Sequence, residues 1–429
     1  MITSISKLTV CIVGGGNSAH VLIPFLSTAG HNLHLLTRRP NDWNDVVTCD
    51  LTTMENKVTK TFTGTCSKTS SDPKDVIPDA DAIILCMPVH QYRNALDSLA
   101  PYINQTKVRI NNTNLIQSSN SLFSPDSIQQ EEVFVGTIYG QAGFNWMVHE
   151  MEREHKLSNV VCFAVGLIPW ICRTTKYGSH VHNYGGKQVN ICAVTPSQKF
   201  DKLNTILLQD FSWNPMGIGK FVQACSFLSL TLSVDNQIIH PSRCFGLWKE
   251  YGGKWASVDQ VPYFYREFDD TSTEILTNID NDYSAVRAAV RKHFPDRPFT
   301  YMLSYLDLER LTHRSKHPSI KASFRNSSQL GLVKTPTLEG EDGTRVLNTQ
   351  CRFFTDDIPY GLLLAKWVAE QLDVKTPHLN VVIMWAQKLR GEHWLNDDST
   401  IDMEFCTKHK HHSGLPPTYG INNVDEILD

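Results

Sequence analysis

The sequence predicts a two-part α/β chain, a doubly wound parallel-sheet half followed by a mainly helical half, and three observations carry that reading. Near the start, a short apolar strand runs into a glycine turn and then a helix. Strand-like and helix-like runs then alternate as far as about residue 200, and beyond it longer helical patterns take over.

In chain order, Leu8 to Val13 is apolar and largely β-branched and is closed by Gly14-Gly15-Gly16. Ser18 to Ala29 carries apolar residues at helical spacing until Gly30 stops it. Asn32 to Thr37 reads as a second strand, and Asp81 to Met87 as the nearly continuous apolar strand that a parallel sheet buries on both faces. Val133 to Gly136 and Val160 to Ala164 continue the pattern, which ends over Gly185 to Ala193. The boundary at about 200 divides the chain into domains 1–200 and 201–429. In the second, helical patterns cover Lys199–Gln209, Lys220–Val234, Thr273–Phe294 and Gly361–Leu372, with few strand-like runs and no internal repeat.

Composition narrows the function classes. The 429 residues are 41% hydrophobic and 20% charged, which excludes a disordered chain. With 40 Lys+Arg against 44 Asp+Glu the net charge is −4 and the basic residues are scattered, so no footprint for nucleic acid or an anionic membrane is present and small molecules are the expected partners. Eleven cysteines stand singly, without a C-x-x-C pair, and read as reduced core thiols; no metal ligand set is expected. No apolar run approaches the ~18 residues of a membrane span, and the start runs into a strand without a signal-peptide pattern, so a cytoplasmic location is the default expectation. The triplets Asn104-Gln105-Thr106 and Asn326-Ser327-Ser328 then read as chance glycosylation matches, and Lys408 to His412 as a solvated basic loop.

Gly14-Gly15-Gly16-Asn17-Ser18-Ala19 fits G-x-G-x-x-A between a strand and a helix, the context a dinucleotide fingerprint needs. Gly14 permits the tight turn, Gly16 lets the backbone approach a pyrophosphate, and Ala19 permits close helix–strand packing. Asn17 and Ser18 open the helix whose N–H groups face the anion. Where an NAD-specific site carries an acidic residue, this chain has Thr37-Arg38-Arg39. Two guanidiniums and a hydroxyl suit a 2′-phosphate, so NADP(H) is favoured with NAD(H) as the alternative, while solvated loop charges would explain the arginines equally simply.

Two segments of the second half carry residues suited to proton chemistry. Asp235 to Ser242 contains His240 before Pro241, at the end of an expected helix, where a turn histidine is the simple alternative. Arg352 to Gly361 precedes an apolar helix, and Thr355, Asp356 or Asp357 could merely cap it, with Pro359 in its first turn.

Taken with Ile138 to Phe144 (IYGQAGF) and Ile168 to Arg173 (IPWICR), these pieces, in this order, resemble the octopine/opine dehydrogenase family along nearly the whole chain. The resemblance implies a Rossmann domain followed by a helical opine-dehydrogenase domain with the active site between them. It implies reductive condensation of an amino acid or similar amine with an α-keto acid at the expense of NAD(P)H. By the motif match, His240 is the general acid/base, Asp357 its orienting partner, Arg352 the arginine that reaches the cofactor pyrophosphate, and Gln141 a residue at the keto-acid entrance. The chain departs from the family pattern at Gly166-Leu167, where a hydroxyl is lost before Ile168-Pro169-Trp170, which bears on the keto acid taken. Two rival readings are a two-domain NAD(P)-dependent 2-hydroxy- or keto-acid dehydrogenase without an amine substrate, and a non-catalytic NADP(H)-binding sensor. The first would show no amine requirement, and the second has no need of a His240/Asp357 pair. The amine, the keto acid and the oligomeric state stay open at this level.

Overall fold

The computed structural model describes residues 7–53, 57–104, 108–110, 128–130, 132–212, 219–233, 235–313, 315–325, 330–331, 333–408 and 412–428. Its centre is an eight-stranded sheet in the order Phe221–Gln223, Asn190–Thr195, Val160–Val165, Val133–Thr137, Ala82–Leu85, Thr9–Val13, Asn32–Leu36, Lys68–Ser70. From Val160–Val165 to Lys68–Ser70 all neighbours pair in parallel, as the apolar runs predict. Side chains alternate between two cores: Ile83 and Leu85 enter one, Ala82 and Ile84 the other. Asn190–Thr195 joins antiparallel to Val160–Val165.

Thr9–Val13 and Ala82–Leu85 set the place of the site. From Thr9–Val13 the chain steps to Asn32–Leu36 on one side and returns to lay Ala82–Leu85 on the other. That reversal opens a crevice beyond the carboxyl ends of the two strands, where the glycine turn and Cys86–Met87 lie.

A second, four-stranded sheet of Trp170–Lys176, His180–Gly186, Val47–Thr52 and Val58–Gly64 packs on the helix Asn17–Ala29. The sequence reading did not separate it from the main sheet. In the helical half, Asn236–Tyr251 packs on Asp270–His293, with Leu363–Gln371 and Pro377–Arg390 around them. Its apolar side chains merge with one face of the main sheet into a single core, so the two halves are not independently packed.

Several expected elements are redrawn. The helix expected over 220–234 is the strand Phe221–Gln223, which extends the main sheet past residue 200, followed by the helix Phe227–Leu232; Val234 lies outside the described residues. The helix expected to begin at Gly361 starts as a wide turn over Ile358–Leu362 and becomes regular at Leu363. His240 stands inside the helix Asn236–Tyr251 and not at a helix end, because Pro241 is absorbed within that helix. A three-stranded sheet of Lys254–Trp255, Arg345–Leu347 and Thr337–Glu339 interrupts the helical half. Residues 105–106, 326–328 and 409–411 of the triplets and basic loop lie outside the described residues. Among the described residues no helix is long and apolar enough to cross a membrane, and the eleven cysteines are thiols.

Candidate active site

The glycine turn is shaped by backbone demands. Gly14 has φ +106°, and a Cβ there would meet the Cys86 carbonyl oxygen at 2.7 Å, so both its conformation and its surroundings exclude a side chain. Gly16 caps the helix Asn17–Ala29, no side chain caps that end, and its first turn carries no acidic residue. The leading N–H groups are therefore left for an anion at a positive helix end. Ala19 is fully buried, while Asn17 and Ser18 line the crevice, and Asn17 Oδ1 accepts from the Thr174 amide at 2.9 Å.

Thr37 is buried at the end of Asn32–Leu36, with its hydroxyl beside Gly15, and accepts from the Arg39 amide at 3.4 Å. Arg39 is exposed but engaged: its guanidinium lies 3.8 Å over the Tyr177 ring and 3.6 Å from Asp42. Arg38 beside it is exposed to solvent.

Beyond the turn the crevice widens into a cleft of about 830 Å³ that reaches the helical half, and His240 and Arg352 line it. Two elements distant in sequence bring the proton-transfer candidates together. His240 Nδ1 lies 2.7 Å from Asp357 Oδ2, with both side chains 1% exposed. On the other side of the ring, Nε2 lies 3.0 Å from the Tyr265 hydroxyl. Phe353 stacks on the imidazole at 3.8 Å between centroids, and Phe264 meets it edge-on. The ring is thus fixed in plane and direction by one carboxylate, one phenol and two aromatic walls.

Burial, reinforced by the Arg352 guanidinium, pushes the His240 pKa well below its ordinary value, so the imidazole is neutral in the open cleft. Burial pushes Asp357 upward while Arg352 draws it back. The Tyr265 hydroxyl is pushed up by burial and stays protonated. Neither Thr355 nor Asp356 nor Asp357 caps the following helix by a side-chain hydrogen bond.

Arg352 opens the short helix Arg352–Thr355 and is exposed to the solvent of the cleft. Gln141 is placed otherwise than the keto-acid entrance suggests. It is fully buried and does not line the cleft; its Oε1 accepts from the Tyr139 hydroxyl at 2.6 Å, and Tyr139 forms the wall. The tight turn through Ala142 and Gly143, both at positive φ, tucks Gln141 beneath that wall.

Sequence reasoning missed Tyr265 and the clasp between the halves. Asp356 accepts from the Val89 amide at 3.1 Å and contacts His90, so the residue next to Asp357 grips the loop that follows Ala82–Leu85. No spacing signal points to either; an aromatic among aromatics and a second aspartate beside the first are visible only once folded.

Two stretches of the chain match known families. Residues 223–390 match the family described as NAD/NADP octopine/nopaline dehydrogenase, alpha-helical domain, and residues 10–145 match ketopantoate reductase PanE/ApbA. The chain is 26% identical over 433 residues to an octopine dehydrogenase from Pecten maximus, covering 98% of both chains. It is 26% identical over 446 residues to an opine dehydrogenase from Haliotis discus hannai, covering 99% of both. A solved octopine dehydrogenase with NADH and L-arginine shares the fold with a TM-score of 0.76, at 22% identity over 98% of each chain.

Proposed function

The chain belongs to the octopine/opine dehydrogenase family, and from that premise we propose that it joins an amino acid or similar amine to an α-keto acid and reduces the product with NAD(P)H. The observation that carries this reading is the buried Asp357–His240–Tyr265 chain of contacts opening on a cleft that begins at the glycine turn. In balance, the amine nitrogen forms a bond to the keto carbon with loss of water, and hydride plus one proton saturate the carbon–nitrogen double bond.

The cofactor fits the residues present. Gly14 leaves no room for a Cβ, and the uncapped helix end at Gly16 offers amides to a pyrophosphate. When bound, the nicotinamide supplies the hydride. Of the second-strand residues, Arg38 is better placed than Arg39 for a 2′-phosphate, since Arg39 is already held by Tyr177 and Asp42. This favours NADP(H), with NAD(H) as the alternative. Arg352, which lines the same cleft from the helical half, would hold the pyrophosphate by a charge-assisted contact.

His240 moves the proton. With Nδ1–H held by Asp357, Nε2 is the nitrogen that serves the substrate, exchanging its Tyr265 contact for the reacting oxygen or nitrogen. Asp357 fixes the tautomer and stabilises the imidazolium as it forms. Tyr265 contacts Nε2 through its hydroxyl and aligns it. Gln141 acts on the keto acid through Tyr139, whose hydroxyl it orients.

The test crosses a panel of keto acids with a panel of amino acids and amines, each also assayed singly, following NADPH and NADH oxidation. Turnover only when both are present supports the proposal. Full turnover with a keto acid alone would return the chain to the carbonyl-only dehydrogenases.

A further inference from the structure

Outside the cleft, the outer face of the four-stranded sheet carries a cluster that the dehydrogenase reaction does not use. Val47–Thr52 and His180–Gly186 run in parallel, with His180 opposite Thr48 and His182 opposite Asp50. Cys49 and Val181 point into the core of the N-terminal half, so alternation sends Asp50, His180 and His182 to the opposite face. One donor atom from each of the three lies within 4.8 Å of the others, with Asp50 buried and both histidines half-buried. We propose that Asp50, His180 and His182 form a binding site for a divalent first-row transition ion, zinc foremost.

The donor set fits that class of ion. Two imidazoles and one carboxylate are borderline ligands that suit Zn²⁺, Ni²⁺ or Cu²⁺ and do not suit Mg²⁺ or Ca²⁺, which prefer oxygen throughout. Three protein ligands leave a fourth, tetrahedral position for water.

The outer contacts are already in place. The Thr61 hydroxyl donates to Asp50 Oδ1 at 2.5 Å, which turns Oδ2 toward His180 Nε2, 2.7 Å away. Thr175 Oγ1 lies 3.1 Å from His180 Nδ1, the partner that directs Nε2 inward. Zinc with ligands at about 2.0–2.2 Å holds its donors about 3.4 Å apart, so His182, packed edge-on between His180 and Tyr184, closes the set by turning inward.

The position gives the ion a structural consequence. His180 follows the turn in which the Gly178 amide donates to His20 Nε2 at 2.8 Å and Tyr177 covers Gly15. An ion shared with Asp50 ties that hairpin to Val47–Thr52, alongside the cofactor turn. Arg173, opposite His182 on the neighbouring strand, bounds the site with positive charge.

The test uses the full chain, stripped with a chelator and titrated with Zn²⁺ and Co²⁺ alone. One cobalt per chain with a spectrum free of thiolate charge transfer is expected, along with a melting temperature that rises with zinc. His180→Ala and His182→Ala should each weaken zinc binding at least about tenfold, and Thr175→Val about tenfold, while NADPH oxidation without added metal stays unchanged. Wild-type zinc affinity in the His180→Ala/His182→Ala double variant would overturn the proposal. So would a thiolate band in the cobalt spectrum, a site lost instead on His412→Ala, or the lack of saturable binding in the wild-type chain.

Discussion

The proposed cofactor turn is assembled from consecutive residues, 14 to 19, whose backbone would do the binding, whereas the proposed proton-transfer pair joins side chains 117 residues apart in the helical half. The first needs small residues in a fixed order between a strand and a helix, and that requirement is written locally. The second needs only two ordinary polar residues and a fold that brings them within 2.7 Å. A backbone-built site therefore fails through geometry when altered, and a side-chain-built site fails through chemistry. The expected outcomes below separate the two.

The largest effect is expected at His240. His240→Ala should lose about 10²- to 10⁴-fold in kcat, with cofactor affinity nearly intact, because proton transfer acts in the transition state. Wild-type turnover would make His240 a packing residue. Asp357→Asn, which keeps the shape but offers the wrong partner to Nδ1, should lower kcat by a smaller factor. The opposite pattern is expected at Gly14→Ala: cofactor binding weakened more than tenfold, read by fluorescence titration, since the new Cβ would collide with the Cys86 carbonyl.

A smaller effect concerns the 2′-phosphate. If Arg38 meets it, Arg38→Ala loses a charge-assisted contact of roughly 1.5–3 kcal/mol. The NADPH KM should rise by about one to two decades with NADH hardly affected, while Arg39→Ala should do less. A wild-type enzyme that prefers NADH would show both arginines to be loop charges.

The smallest effect tests the link between the two regions. In the cofactor-free chain His240 should titrate below its ordinary value, because burial and the Arg352 cation both disfavour imidazolium. Raising the pH through that value removes the proton the reductive direction needs, so the reductive rate falls and the oxidative rate rises. Arg352→Ala removes one of the two causes and should move the His240 titration upward, followed by NMR of labelled histidine. It should also weaken cofactor binding; an unmoved titration with unchanged affinity would remove Arg352 from both roles.

The same contrast explains what the sequence made legible. The parallel strands were readable because burial on both faces leaves unbroken apolar runs such as Ala82–Leu85. The second sheet was not distinguished, although apolar and polar residues alternate along Val47–Thr52, because the alternation reveals a strand and not the sheet it joins. Phe221–Gln223 is three residues long and too short to interrupt a helical pattern. Pro241 suggested a helix end where the structure continues the helix to Tyr251. At the site, Gly14, Gly16 and Ala19 carried their own argument, while His240 and Asp357 gained meaning only from resemblance. Tyr265 and the Asp356 clasp gained theirs only from the fold.

The central claim is that one product contains both the amine nitrogen and the keto-acid carbon skeleton. It is tested most directly by supplying ¹⁵N-labelled amine, a keto acid and nicotinamide deuterated at the transferring position, then measuring the product by mass spectrometry. A single secondary amine dicarboxylate, or its analogue for a non-carboxylate amine, is expected, carrying the ¹⁵N and one deuterium on the carbon that was the ketone. A deuterated hydroxy acid without ¹⁵N, formed at full rate, would contradict it.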